Sequence, residues 1–174
     1  MGIEWSEDGV AARCHANCIE AARETARMAG ASGEVVEHGG VLLFATGSDF
    51  PVLANGAFRV DAGVAADEVI DRADAWFVER NRGWSLGTTG WDGADQDLID
   101  AAATRGLMTV TDQPAMICDE RLADATPPDD IELRVVTTED DARAFVAMAD
   151  SAYTSLGLPA GVIAGVTGPN PPVP

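Results

Sequence analysis

Val41-Leu42-Leu43-Phe44-Ala45-Thr46-Gly47-Ser48-Asp49-Phe50-Pro51-Val52-Leu53-Ala54-Asn55-Gly56-Ala57-Phe58-Arg59-Val60 is the stretch on which the fold turns. Val41 to Ala45 is a compact apolar run, the length of a strand rather than a helix. Pro51 to Val60 is a second run, and Gly47-Ser48-Asp49 separates the two. Two such runs around turn-forming residues predict an antiparallel hairpin with a loop longer than the tightest kind. Just upstream, His38-Gly39-Gly40 is a turn signal and residues 34–37 read as a short strand.

Working outward, residues 64–80 carry the clearest amphipathic pattern. Val69, Ile70, Ala73, Trp76 and Phe77 form an apolar stripe, and Asp67, Glu68, Asp71, Asp74 and Glu79 line the other side. Trp84-Ser85-Leu86 reads as a strand. Residues 94–105 read as a helix with Leu98, Ile99 and Ala102 inward and Gly106 as its stop. Residues 107–118 read as a strand interrupted near Pro114. At the other end, residues 10–30 predict a helix, with Cys14, Cys18, Ala22 and Ala26 on one face at i+4 spacing. The order α-β-β-β-α-β-α-β predicts an α/β (α+β) fold, a sheet with helices packed on it.

Composition narrows the function classes. The chain has 174 residues, 11 Lys+Arg against 29 Asp+Glu, and a net charge of −18. That charge argues against nucleic acid and against an anionic membrane surface, because both need a basic face. All the basic residues are Arg. Without lysine there is no Schiff-base chemistry and no Walker-type phosphate loop. Met1 to Ser6 has no basic, apolar leader pattern, and Val41–Ala45 is too short to span a bilayer, so a cytoplasmic location is expected. Three cysteines without framework spacing read as reduced thiols.

The chain divides near residue 120. Residues 121–130 are polar, acidic and Pro-paired and read as a linker between a unit at 1–120 and one at 131–166. Ile131-Glu132-Leu133-Arg134-Val135-Val136 alternates like a strand. Thr138 and Asp141 stand at capping-box spacing before a helix that runs to about Ser155, with Ala142, Phe145, Val146, Ala149 and Tyr153 on one face. Residues 167–174 form a Pro-rich tail that neither helix nor sheet centre accommodates.

These segments together resemble the GNAT acetyltransferases, in a two-module, actinobacterial-type arrangement. The stretch 41–59 is similar to the hairpin of that family's divergent first module. Pro114-Ala115-Met116 with Arg121-Leu122 is similar to its end, and residues 131–141 with Tyr153 to Pro159 to the opening of a second module. The resemblance implies a mixed, mostly antiparallel sheet and direct acetyl transfer from acetyl-CoA to an amine. It implies a cofactor pyrophosphate held by backbone N–H groups at a helix start and general acid–base catalysis. The family's Q/R-x-x-G-x-G/A loop falls here on Arg59-Val60-Asp61-Ala62-Gly63-Val64-Ala65, with one residue too many before Gly63. Gly63, Val64 and Ala65 are therefore the candidate acetyl-CoA-binding residues. The residues themselves read more readily as an ordinary turn before a helix, because Asp61, Asp67 and Glu68 would repel a pyrophosphate. In two-module members the second module supplies the competent cofactor site. This chain stops before that point, so no catalytic residue is assigned and weak or absent activity is expected. The alternative is a non-catalytic structural or partner-binding module, forming a homo-oligomer or binding a protein partner through the incomplete second module.

Other constellations are poorer. Arg27 to Ser32 and Arg80 to Ser85 contain near-matches to the same loop but follow helices. Cys14, His15, Cys18 and His38 lack the paired spacing of a structural zinc site, so no metal is expected. The two histidines have no evident nucleophile, since the serines lack a G-x-S-x-G elbow. Gly87-Thr88-Thr89-Gly90-Trp91-Asp92-Gly93 reads as a surface turn before a helix. Trp76, Phe77 and Trp84 read as core.

Overall fold

The structure is a computed structural model that describes residues 7–112, 114, 126 and 128–168. Helix α1 (Glu7–Met28) precedes the strands β1 (Glu34–His38), β2 (Val41–Ala45) and β3 (Gly56–Arg59). Helix α2 (Ala66–Glu79), strand β4 (Ser85–Gly87) and helix α3 (Gln96–Thr104) follow. Helices α4 (Glu139–Ser155) and α5 (Val162–Thr167) complete the described chain. The strands form one sheet in the order β1-β2-β3-β4. The first two pairings are antiparallel, and β3 with β4 is parallel.

The 41–60 stretch does form a hairpin, with Val41 opposite Arg59 and Phe44 opposite Gly56. Its loop is held from inside by Asn55, which is fully buried. The Asn55 Oδ1 accepts from the Thr46 N–H at 3.1 Å, and its Nδ2 donates to the Ser48 carbonyl at 2.9 Å. On the other side of β2, Gly39 and Gly40 make the two-residue turn from β1, with φ of +57° and +78°. A type I′ hairpin turn requires positive φ at both positions, which is why two glycines stand there.

All five residues of β2 are buried because the sheet is covered on both faces. The period-2 alternation then divides them. Val41, Leu43 and Ala45 pack with Ala57, with Val69, Ile70, Ala73 and Phe77 of α2, and with Leu98 of α3. Leu42 and Phe44 pack on the opposite face with Ile19, Ala22 and Ala26 of α1. Phe77 is fully buried, and its ring lies 5.8 Å from that of Trp84 in a stacked arrangement. Trp76 carries the Arg80 guanidinium 3.7 Å over its ring.

Several expectations are corrected. Cys18 is exposed and Cys14 only half-buried, so the core face of α1 is not the i+4 series. Each i+4 step advances the helix by about 400°, so three such steps drift by about 120°. The buried series is Ile19, Ala22, Ala26 and Ala29, which alternates steps of three and four. Residues 107–112 form no strand, and the rest of that expected strand lies almost wholly outside the described residues. Residues 131–136 form no strand with any of the described residues, and Leu133 is 75% and Val135 80% exposed. On α4, Ala142 and Val146 are buried but Phe145 and Tyr153 are exposed. Residues 121–125 and 127 of the expected linker and 169–174 of the Pro-rich tail lie outside the described residues.

Thr138 does cap α4. Its hydroxyl accepts from the Asp141 N–H at 3.1 Å and donates to the Asp141 carboxylate at 2.7 Å. That hydroxyl, with the Thr137 and Thr138 backbone, holds the Asp141 carboxyl below the usual aspartate range. The short helix α5 is capped by Asp150, whose carboxylate accepts from the Gly161 and Ile163 N–H groups. Helix α5 sits against Gly47, Ser48 and the end of α1. A Cβ on Gly165 would lie 2.8 Å from the Ser48 Cβ, and one on Gly168 would lie 2.8 Å from the Ala29 carbonyl oxygen.

Candidate functional site

Because β3 and β4 are parallel, their carboxyl ends lie side by side, and α2 and α3 each start just beyond one of them. The carboxyl end of a parallel pair is where open α/β sheets place ligands, and helix N-termini there favour anions. The site is built from the end of β3, the loop 60–65, the loop after β4, the start of α3, and His15 of α1.

Gly63, Val64 and Ala65 lie in the turn that opens α2, and Ala65 is its extended N-cap residue. The turn is anchored at its base, where the Val60 and Asp61 N–H groups both donate to the Gly40 carbonyl. The Asp61 carboxylate accepts from the Gly63 N–H at 2.8 Å, and the Asp61 carbonyl accepts from the Val64 N–H at 3.0 Å. Two of the backbone donors that a pyrophosphate would need are thus turned onto Asp61. The surrounding acids are partly paired. Arg105 bridges Asp67 and Asp71, and Arg72 reaches Glu68 together with the His38 and Gly39 carbonyls.

Arg59 is the centre of the site. Its side chain is only 7% exposed. Nε and Nη2 donate to Asp95 Oδ1 at 3.0 and 2.6 Å. Nη1 and Nη2 donate to the two Asp97 oxygens, each at 2.8 Å, a bidentate pair. Nη1 also reaches the Val64 carbonyl at 3.4 Å, which ties the clasp to the loop. Asp97, then Asp95, raises the Arg59 guanidinium above its ordinary value, and Arg59 holds the Asp97 carboxyl below the usual range. Asp95 adopts left-handed backbone, φ +58°, a region open to Asp because its short polar side chain hydrogen-bonds locally, here to the Thr89 N–H.

His15 lies on the sheet-facing side of α1. Its Nε2 is 2.9 Å from the Arg59 carbonyl and its Nδ1 is 2.8 Å from the Thr89 hydroxyl. A carbonyl only accepts, so Nε2 carries a proton and donates. In the neutral ring Nδ1 is then an acceptor facing Thr89. The Asp95 carboxylate accepts from the Thr89 N–H at 2.9 Å and lies 3.2 Å from the same hydroxyl.

The sequence placed Gly63, Val64 and Ala65 at this end of the sheet, and the structure brings Arg59 and its two aspartates to them. The surface-turn reading of 87–93 missed that Thr89 joins the site, and His15 does have a hydroxyl partner, 74 residues away. The available signal was His15 itself, which continues the series Ile19, Ala22, Ala26 by one step of four. Among the described residues, no group of three or more His, Cys, Asp or Glu comes together as a metal site. None of the described helices is long and apolar enough to cross a membrane. No protein-family model, curated protein or solved structure matches the chain.

Proposed function

We propose that residues 1–120 form a GNAT-like acyltransferase module whose acetyl-CoA site is the carboxyl end of β3 and β4. Gly63, Val64 and Ala65 are its pyrophosphate loop, and the acceptor is an amine. What supports the reading is the β3–α2–β4 unit: a parallel pair joined through a helix, with that loop at the helix start and an antiparallel hairpin beside it.

In this chain the cofactor is held weakly. Asp61 engages the Gly63 N–H, and a second anion there meets like charge. Calorimetric titration with acetyl-CoA tests both statements. Weak binding by the wild type that strengthens in Asp61→Asn supports the proposal. Tight wild-type binding overturns the weakness, and no binding to either protein overturns the site.

A second reading is a non-catalytic, partner-binding module. It is favoured by the exposed apolar side chains of Ile131, Leu133 and Val135 and of Phe145 and Met148 on α4. Light scattering across a concentration series distinguishes it, since a monomer at the highest concentration removes self-association.

A further inference from the structure

The contact between His15 and Thr89 has the arrangement of an activated hydroxyl. A nucleophilic hydroxyl needs a base within hydrogen-bond reach and a third group that orients the base. Thr89 Oγ1 is 2.8 Å from His15 Nδ1, and the Arg59 carbonyl, 2.9 Å from Nε2, is the orienting group. That carbonyl also selects the tautomer. It keeps the ring proton on Nε2, so Nδ1 is left free to take the hydroxyl proton. The Thr89 hydroxyl also reaches the Asp95 carboxylate, the longer of its two contacts. That carboxylate lies 3.2 Å away and already accepts from the Thr89 N–H and from Arg59. Among the described residues, nothing covers the loop on either side of Thr89. Thr89 is half-buried, Thr88 and Gly90 on either side are exposed, and a Cβ on Gly90 would meet no atom within 4 Å.

We propose that Thr89 and His15 form a nucleophile–base pair that accepts an acyl group from small activated esters. The Thr89 oxygen attacks the ester carbonyl carbon while its proton passes to His15 Nδ1. The tetrahedral adduct collapses, the bond to the leaving oxygen breaks, and the leaving group takes the proton from His15. The result is an acyl-Thr89 ester and a free alcohol. Water, deprotonated by the same Nδ1, then attacks the ester carbon and releases the carboxylic acid and the Thr89 hydroxyl. Arg59 and Asp95 are positioning residues, the first through its carbonyl and the second through the Thr89 N–H. The step needs no cofactor, so it stands or falls independently of acetyl-CoA binding.

The test incubates the full chain with p-nitrophenyl acetate, follows p-nitrophenolate release and maps the acetylated peptide by mass spectrometry. The expected result, in protein quenched with acid during the reaction so that the ester is trapped before water cleaves it, is one acetyl group on Thr89. His15→Gln lowers the acylation rate by about 100-fold, the usual contribution of a positioned base. Thr89→Ser, which keeps the hydroxyl, retains the label, and Thr89→Val loses it. Mapping of the wild-type protein needs no variant, so a variant that fails to fold does not remove the test. The proposal is overturned if the wild-type protein carries no label on Thr89, whether the acetyl group sits on a cysteine, elsewhere or nowhere, or if His15→Gln, folded by circular dichroism, acylates at the wild-type rate.

Discussion

Arg59 shows how one residue fixes the candidate site. A buried guanidinium is tolerable only when its donors are satisfied, and here two carboxylates from the start of α3 do so. Arg59→Met removes the partner of Asp95, whose side chain is 10% exposed. Leaving that carboxylate without its cation is expected to cost about 3–5 kcal/mol in urea unfolding. Asn55 is the neutral counterpart. Asn55→Ala leaves the Thr46 N–H and the Ser48 carbonyl without their buried partner, for an expected loss of about 2–4 kcal/mol. The exposed end of the clasp gives a pH signature. Asp97 is lowered below its ordinary value by Arg59, so it contributes stability above the usual aspartate range and loses it as pH falls through the depressed value. Melting temperatures measured from pH 6 down to about pH 2 should fall more gently in Asp97→Asn than in the wild type, with the difference confined to the region below about pH 4.

At the scale of elements, the hairpin and the site are coupled through one glycine. Gly40 turns the chain from β1 into β2, and its carbonyl accepts from the Val60 and Asp61 N–H groups at the base of the candidate loop. A Cβ there would lie 2.7 Å from the Asp61 Cβ and the Val64 Cγ2, at a φ of +78°. Gly40→Ala is therefore expected to cost more than the roughly 1 kcal/mol of left-handed backbone alone, and hydrogen exchange should show faster opening of residues 60–65. The hairpin, α2 and α3 were legible in sequence because each has a strong local period or a turn marker. The buried face of α1 does not follow four-residue spacing, because its stripe alternates steps of three and four. The expected strand at 131–136 has the alternating pattern, but a strand exists only by pairing, and among the described residues nothing pairs with it.

For the whole molecule, the informative contact is that of α5 with Gly47, Ser48 and the end of α1. Gly165 approaches Ser48 so closely that no side chain fits between them. Gly165→Val should lift α5 from the sheet unit. Exchange protection of residues 162–167 should fall, while Val41–Ala45 stays protected.

The elements around the hairpin, the acidic charge and the turn that opens α2 are written in the amino-acid order, because local period, turn chemistry and composition act over a few residues. That Arg59 meets Asp95 and Asp97, that Asp61 turns onto the Gly63 N–H, and that His15 faces Thr89 emerge from the assembled fold. Those contacts depend on β3 and β4 being parallel, with α1 on one face and α2 and α3 on the other. That arrangement is set by burying both faces of β2 at once, not by any short run of residues.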